Sequence, residues 1–133
     1  IHDIDIIMGA ILHDTIEDTK TTREELLDEF GKNVTDYVWE MTDDKTLEKK
    51  MRKLLQIKNA PHKSYGAKHI KICDKICNIT DVIHNPPTWW ELQRRKDYLD
   101  WAEKVVNALG KVNPRLQKLF YDKLLEGRKL LNA

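Results

Sequence analysis

The sequence contains few cysteines, with only two among its 133 residues. Cys73 and Cys77 stand four positions apart, so they are neighbours on one face if the segment is helical. This arrangement suits a structural disulfide poorly, and without further Cys or His at ligand spacing it gives only a weak zinc signal. We therefore interpret both residues as reduced thiols of the core.

Long hydrophobic runs and an excess of either charge are absent too. The first segment, IHDIDIIMGA, carries three charged or titratable side chains, which argues against a signal peptide or a membrane span. Lys and Arg number 23 against 22 Asp and Glu, giving a formal charge of +1, so no global field marks a nucleic-acid or membrane binder. We predict a soluble, cytoplasmic protein without nucleic-acid or membrane partners, in which any functional charge is local.

Strand signals are missing as well, since no Asn-Gly or Asp-Gly turn separates alternating runs. Apolar residues instead recur at intervals of three and four, which is typical of amphipathic helices. The length allows one domain with a substantial core but not two. We predict an all-α fold, a bundle of about six or seven helices that occupies residues 1–133 as a single domain.

Start and stop signals divide the chain into predicted helices. The first runs over residues 4–14 and continues through Glu17. The later boundaries are a cap at Thr22, an end at Gly31, a cap at Asn33, a basic amphipathic helix over 47–57 that ends before Pro61, a long helix from Ser64 to about His84, a cap at Thr88, an end at Gly110 and a start at Pro114.

The segment ILHDTIEDT, residues 11–19, places four ionisable groups within an otherwise apolar stretch. At about 100° per residue, these groups fall within an arc of about 140° on one side of one helix. Such close carboxylates repel one another unless a cation, a proton or a hydrogen-bond donor compensates. A solvated acidic face is the ordinary interpretation, but the apolar flanks indicate a half-buried segment, for which a divalent metal is the economical explanation. The four groups are His13, Asp14, Glu17 and Asp18.

A second candidate feature is the string KICDKICN, in which Asp74 stands among core-type residues. Asn78 follows four positions later and shares the face of Asp74 on a helix. If this polar ridge meets His13 and Asp14, a metal would gain another oxygen ligand. A His-Asp-Asp set suits Mn²⁺, Fe²⁺ or Mg²⁺ better than structural zinc, since it mixes imidazole with hard oxygens and leaves positions for water.

The predicted helix over residues 47–57 has a strongly basic face. A substrate with several phosphate groups needs cations near the metal. This face therefore supplies candidate phosphate ligands, although a solvated face is the ordinary role of such residues. The candidates are Lys49, Lys50, Arg52 and Lys53.

Three tryptophans, Trp89, Trp90 and Trp101, are predicted to lie on one helix. An aromatic stripe can stack a base, but we expect these residues to pack in the core or at an oligomer contact. We assign them no catalytic role, and the sequence leaves open whether the protein forms a homo-oligomer.

The two acidic strings belong to longer segments, ILHDTIEDTKTTREELLDEFGKNVTDYV and, downstream, IKICDKICNI. Together these segments resemble the HD-domain hydrolases of the Rel/SpoT type and the free-standing small alarmone hydrolases. An HDxxED motif paired with a downstream D-K-x-x-N is more specific than an isolated HD pair. The resemblance implies an HD-domain helical bundle. It also implies hydrolysis of the 3′-pyrophosphate of guanosine 3′,5′-bis(diphosphate) (ppGpp), the alarmone of the stringent response.

The resemblance implies a metal site made of His13, Asp14 and Asp74, which would bind Mn²⁺ or another divalent ion. Such a metal would lower the pKa of a bound water molecule. Members of the family have a further metal-ligating His on a helix upstream of the HD pair, and we expect residues 1–133 to lack that helix. His2 is close in sequence but is not expected to replace this ligand.

The resemblance also implies roles in catalysis and in substrate binding. Glu17 and Asp18 would position or deprotonate the attacking water, a task that suits an acid adjacent to the metal. Asn78 would contact the small-molecule nucleotide. On the basic helix, Lys49 and Lys53 are the favoured phosphate ligands.

Two alternatives stay open on the sequence alone. The protein could hydrolyse another nucleotide or nucleotide-like phosphate ester, or it could be a helical regulatory module that keeps the fold without hydrolysis. The missing upstream His favours the regulatory module, whereas the presence of both Glu17 and Asp18 argues against it.

Overall fold

The computed structural model describes residues 3–132, and within this range every regular element is helical. The predicted all-α bundle is confirmed. None of the helices in the described range has the length and apolar character needed to cross a membrane. The elements are α1 (Ile4–Leu12), α2 (Thr15–Asp18), α3 (Arg23–Phe30), α4 (Lys32–Met41), α5 (Lys49–Asn59), a 3₁₀ turn (Ala60–His62), α6 (Tyr65–His84), α7 (Leu92–Leu109) and α8 (Pro114–Leu131).

Helix α6 is the central element, since other helices cover it on more than one side. Towards α1 and α4 it contributes Ile70 to a small cluster with Ile6 and Met41. Towards α7 and α8 it forms the main core. Burying one such side chain contributes about 1.5–3 kcal/mol, so this core supplies much of the stability. Its buried members are Ile79, Val82, Ile83, Leu99, Ala102, Val106, Phe120, Leu124 and Leu131.

Several predicted helix boundaries are confirmed by capping contacts. Thr22 Oγ1 accepts a hydrogen bond from the Glu25 backbone N–H at 3.2 Å, which begins α3. Ser64 Oγ likewise accepts from the Ala67 N–H at 3.3 Å and begins α6. Gly31 ends α3 with φ of 85°, a positive value that residues other than glycine rarely adopt.

The predicted cap at Asn33 is wrong. Gly31 ends α3 and also caps α4, which begins directly at Lys32 without a connecting loop. Asn33 therefore lies in the first turn of α4, where its amide donates to Asp5 Oδ2 at 3.1 Å and ties α4 to α1.

The predicted cap at Thr88 is wrong as well. Thr88 and Trp89 lie in a turn that is closed by a hydrogen bond from the Trp90 N–H to the Pro87 carbonyl at 3.0 Å. Because the chain turns here, α7 begins only at Leu92. The three tryptophans therefore do not share one helix, since Trp101 alone belongs to α7.

The interpretation of both cysteines as core residues is correct only in part. Both are free thiols, and Cys73 is partly buried. Cys77, in contrast, is exposed on α6. The apolar neighbours of Cys77 in sequence gave no indication of this exposure.

The predicted continuous first helix is interrupted at His13 and Asp14, between α1 and α2. Two side chains bind the carbonyl groups of the last turn of α1. His13 Nδ1 donates to the Ala10 carbonyl at 2.6 Å, and Thr15 Oγ1 donates to the Leu12 carbonyl at 2.7 Å. Such bonds compete with the main-chain ladder. The predicted placement of four groups on one side of one helix is therefore wrong.

Candidate active site

A cleft of about 270 Å³ lies beside the α1–α2 junction, with α5, α6 and α7 forming its other walls. Both acidic strings of the sequence reach it. Basic residues of α5 line the same cleft, and we call these residues its basic side and those of the two strings its acidic side. Its lining residues are His13, Asp14, Glu17, Met41, Asp43, Lys49, Arg52, Lys53, Gln56, Lys71, Asp74, Lys75, Asn78, Tyr98 and Trp101.

His13, Asp14 and Asp74 meet at one point, although Asp74 is 61 positions away from His13 in sequence. His13 Nε2 lies 3.2 Å from Asp14 Oδ2 and 3.2 Å from Asp74 Oδ1. The Asp74 side chain is 16% exposed, whereas that of Asp14 is 59% exposed at the rim. The predicted meeting of the two acidic strings thus occurs, but at a turn between helices.

The charges at this point shift each other's pKa. The hydrogen bond with Asp74 is the main reason why the pKa of His13 is raised to about 9. Burial alone would raise the pKa of Asp74, but the His13 bond and the charges of Lys75 and Lys71 outweigh it and hold this pKa at about 2. A protonated imidazole therefore offsets the charge of the carboxylates in the metal-free protein.

Glu17 lies on the cleft wall near this group, in α2. Burial is the main factor that raises its pKa, and the neighbouring carboxylate of Asp43 raises it further. Asp43 in turn accepts a hydrogen bond from Gln56 Nε2 at 2.6 Å. A carboxyl group with an elevated pKa next to a cleft is a candidate for accepting and returning protons.

Asp18 does not line the cleft. Its Oδ1 atom accepts a hydrogen bond from Lys45 Nζ at 3.3 Å, and its side chain is 60% exposed. The one-turn helix α2 directs Glu17 inward and Asp18 outward. The role given to Asp18 from the resemblance stays a prediction.

The basic side of the cleft includes both lysines that the sequence favoured, Lys49 and Lys53. Arg52 lines the cleft too, whereas Lys50 does not. Burial is the main cause of a lowered pKa at Lys53, and its Nζ lies 4.8 Å from the centroid of the Trp101 ring.

Asn78 lies in the cleft one turn beyond Asp74, as the sequence predicted. It neighbours Tyr98, whose pKa is raised mainly by burial, while the nearby Asn78 amide lowers it in part.

Sequence reasoning missed several cleft residues, above all Lys71, Lys75 and Trp101. The two lysines are each only 3% exposed, and Lys75 has its pKa lowered to about 8, mainly by burial. One sequence feature could have indicated these buried lysines: positions 71 and 75 are separated by one helical turn within apolar surroundings. Trp101, expected to be a packing residue, lines the cleft.

His13, Asp14 and Asp74 carry an imidazole nitrogen and carboxylate oxygens, which are donor atoms that divalent cations such as Mn²⁺ accept. Among residues 3–132, no group of three or more His, Cys, Asp or Glu side chains is arranged to hold a metal ion as the structure stands, and His13 Nε2 instead contacts the two carboxylates directly. Neighbouring ligands of an octahedral ion lie about 3 Å apart, close to the 3.2 Å distances here. Because Nδ1 donates to the Ala10 carbonyl, Nε2 is the nitrogen left for a metal. His2 lies outside the described residues.

Comparisons with known proteins give close relatives. No protein-family model matches the chain. The protein of Drosophila melanogaster named guanosine-3′,5′-bis(diphosphate) 3′-pyrophosphohydrolase MESH1 is 45% identical over 131 residues, which cover 98% of this chain and 73% of that protein. Human MESH1 is 45% identical over 118 residues, or 89% of this chain. The chain spans 66% of the length of the human and mouse relatives.

Solved structures agree with these relatives. A structure described as a metazoan ortholog of SpoT that hydrolyzes ppGpp superimposes with a TM-score of 0.91 at 44% identity, covering 98% of this chain and 72% of that one. A Listeria monocytogenes protein shares the fold, with a TM-score of 0.76 at 23% identity over 98% of this chain and 90% of its own. The HD pair, the downstream aspartate and these relatives agree: the chain belongs to the MESH1 family of HD-domain hydrolases of the Rel/SpoT type.

Proposed function

We propose that this protein is a divalent-metal-dependent hydrolase that removes pyrophosphate from the 3′ position of ppGpp. The observation that carries the proposal is that acidic and basic side chains line one cleft. Its acidic side has the groups that hydrolysis needs, and its basic side has the charges that a substrate with several phosphates needs. The names of the relatives supply the choice of nucleotide.

In this proposal His13, Asp14 and Asp74 would hold Mn²⁺ or another divalent ion. The ion would supply a water molecule of lowered pKa and would polarise the phosphoryl oxygens. His13 contributes Nε2 because Nδ1 is bound to the Ala10 carbonyl. Asp74 is the buried carboxylate of the set, and the exposed Asp14 lies at the mouth of the cleft.

Glu17 would take the proton from the attacking water. It lies on the cleft wall, and its elevated pKa brings it closer to the pH at which proton transfer is efficient. Asp18 would assist from the outer side of α2, provided that it leaves the ion pair with Lys45. Of the two acids, Glu17 is in the better position.

The basic side of the cleft would bind phosphate groups through Lys49 and Lys53, and Asn78 would contact the nucleotide. Arg52 Nε adds an independent reason to expect an anion. This donor is buried and has no hydrogen-bond partner among the described residues. A buried donor without a partner costs about 1–3 kcal/mol, and a phosphate oxygen would satisfy it.

We further propose that residues 1–133 form a single HD-type domain of a cytoplasmic protein whose partner is a small-molecule nucleotide. The described residues provide three candidate metal ligands. A further imidazole ligand, as the family resemblance implies, would have to come from outside residues 3–132. Formation of a homo-oligomer and an absence of nucleic-acid partners also stay predictions.

The test is to incubate the purified protein with ppGpp and Mn²⁺ and to measure released pyrophosphate. We expect release that stops when EDTA is added and resumes when Mn²⁺ is restored in excess. Asp74→Asn should weaken Mn²⁺ binding at least tenfold. Lys104→Met, which changes an exposed residue of α7, is the control and should leave release unchanged.

The opposite outcomes separate the alternatives. If Mn²⁺ binds but no pyrophosphate is released from ppGpp, the ppGpp assignment is wrong and other nucleotides become the candidates. If the protein binds no divalent metal at all, the hydrolase proposal is wrong and a helical regulatory module is favoured.

A further inference from the structure

Lys75 is a buried cation at the floor of the cleft, with a side chain that is 3% exposed. Burying an ammonium group is costly unless other groups compensate for the lost hydration. Two partners do so here. Lys75 Nζ lies 3.5 Å from Asp74 Oδ2 and 4.1 Å from the centroid of the Trp101 ring. A lysine in this position contacts a candidate metal ligand on one side and an aromatic face on the other.

The contact between Asp74 and Lys75 is not a default of helix geometry. Consecutive residues of a helix point about 100° apart and do not normally face each other. Here their side chains converge, and the two oxygens of Asp74 are divided between two partners. Oδ2 contacts Lys75, while Oδ1 is 3.2 Å from His13 Nε2. The contact between Oδ2 and Lys75 limits rotation of the carboxylate and leaves Oδ1 directed towards the imidazole.

Trp101 is itself fixed from a third helix. Its indole Nε1–H donates to the Lys53 carbonyl at 3.1 Å, which ties α7 to α5. The edge of the ring is also packed against Tyr98, with 5.3 Å between ring centroids. A cation over an aromatic face is stabilised by the ring quadrupole, and more so where water is excluded. The ring therefore forms a rigid surface that limits where Lys75 Nζ can lie.

We propose that Lys75 and Trp101 are positioning residues that orient Asp74 for the metal. This inference rests on the metal site of the proposed function, and it adds two residues that are not among the proposed metal ligands. The relay runs from the Lys53 carbonyl through the Trp101 ring and the Lys75 ammonium to Asp74 Oδ2. Partners of this kind, which hydrogen-bond or pair with a ligand, typically change metal affinity or activity 10- to 100-fold when removed.

Whether Lys75→Met weakens or tightens Mn²⁺ binding decides whether Lys75 acts by positioning. As a mere positive charge near a divalent ion, Lys75 would repel it, so that Lys75→Met would tighten Mn²⁺ binding. As a positioning residue, Lys75 holds the carboxylate in place, so that Lys75→Met weakens Mn²⁺ binding, by about tenfold. Lys75→Arg, which keeps the charge and the contact with a ring face, should restore most of the affinity.

The experiment is an Mn²⁺ titration of the purified protein, in which electron paramagnetic resonance reports free Mn²⁺. Trp101→Leu should weaken binding in the same direction, and Trp101→Phe, which keeps a ring, should weaken it less. The double variant Lys75→Met/Trp101→Leu should lose less than the sum of the single losses, since both residues act through one carboxylate. Lys104→Met and Trp89→Leu, at exposed positions outside the cleft, are the matched controls.

The outcomes separate this inference from the proposed function. Unchanged or tighter Mn²⁺ binding by Lys75→Met, with helical content and melting temperature as in the unmodified protein, would overturn the positioning role alone. If Lys75→Met does not fold, the Trp101 variants decide by the same criterion. Failure of the unmodified protein to bind Mn²⁺ would overturn the metal site and this inference together.

Discussion

Helix α6 passes through two regions of opposite character. Near its end, Ile79, Val82 and Ile83 are at most 5% exposed and pack among apolar side chains of α7 and α8. One turn before Ile79, Lys75 is equally buried, at 3% exposure, but it carries a charge and borders the cleft. Burial stabilises the first region, whereas in the second it is a cost that ion pairs and an aromatic ring offset. Equal burial thus identifies neither the stabilising region nor the functional one.

Among variants that test this comparison of the apolar region with the cleft, Glu17→Gln should have the largest effect. We expect kcat for ppGpp hydrolysis to fall about 10²- to 10⁴-fold, because the amide cannot accept the proton from water. Pyrophosphate release measured at saturating substrate checks this. Mn²⁺ affinity and the melting temperature should stay close to those of the unmodified protein. Full turnover by the variant would refute the role given to Glu17.

The opposite profile is expected for Phe120→Ala in the apolar region. Phe120 is fully buried in the core of α6, α7 and α8, so its truncation should lower the free energy of unfolding by about 3–5 kcal/mol. Urea unfolding followed by circular dichroism measures the change. Phe30→Ala, at a position that is 40% exposed, is the control and should cost much less. Equal losses for the two variants would contradict the assigned core.

Titration of His13 tests the charged region directly. Its pKa of about 9 depends chiefly on Asp74, so Asp74→Asn should lower this pKa by about one to three units. A pKa that is raised on folding stabilises the protein below the ordinary value of 6.5, and this stabilisation is lost as the pH rises through 9. In metal-free protein, stability should therefore decline from pH 6.5 to 9, and decline less in Asp74→Asn.

Nuclear magnetic resonance of the imidazole protons gives the pKa, and urea midpoints across the same pH range give the stability. If Asp74→Asn leaves the His13 pKa near 9, the pair does not exist in solution as the structure has it.

The smallest effect is expected at the exposed rim. Lys49→Ala should raise the KM for ppGpp about fivefold, equivalent to about 1 kcal/mol, because an exposed charge contributes little and is screened by salt. Lys50→Ala is the matched control, since Lys50 is next in sequence but does not line the cleft. Steady-state kinetics at low and high salt checks both variants. An equal effect of the two substitutions would show that general charge, rather than the cleft, attracts the substrate.

Much of the fold was accessible from local patterns. The caps at Thr22 and Ser64 and the ends at Gly31 and Gly110 depend on contacts within a few residues, and the structure confirms them. The break at His13 was not accessible, because side-chain bonds to the carbonyls of α1 replace main-chain bonds without altering the apolar periodicity.

Only those residues of the site that belong to the two sequence motifs or to the basic helix could be predicted. The meeting of His13, Asp14 and Asp74 followed from the two acidic strings and from the family resemblance. The burial of Lys75 depends on Trp101, which arrives from a helix 26 positions later in the chain. A lysine in sequence is normally a solvated residue, so only the packing of α7 on α6 reveals its place in the cleft.

The pairing of His13 with two aspartates also bears on how the proposed metal site would be filled. A proton on the imidazole compensates the carboxylates in the structure as described. Under the proposal that a divalent ion binds here, loading would be an exchange, in which the ion enters and a proton departs to the solvent. The proton would then act as a placeholder that keeps the three side chains together until the ion arrives.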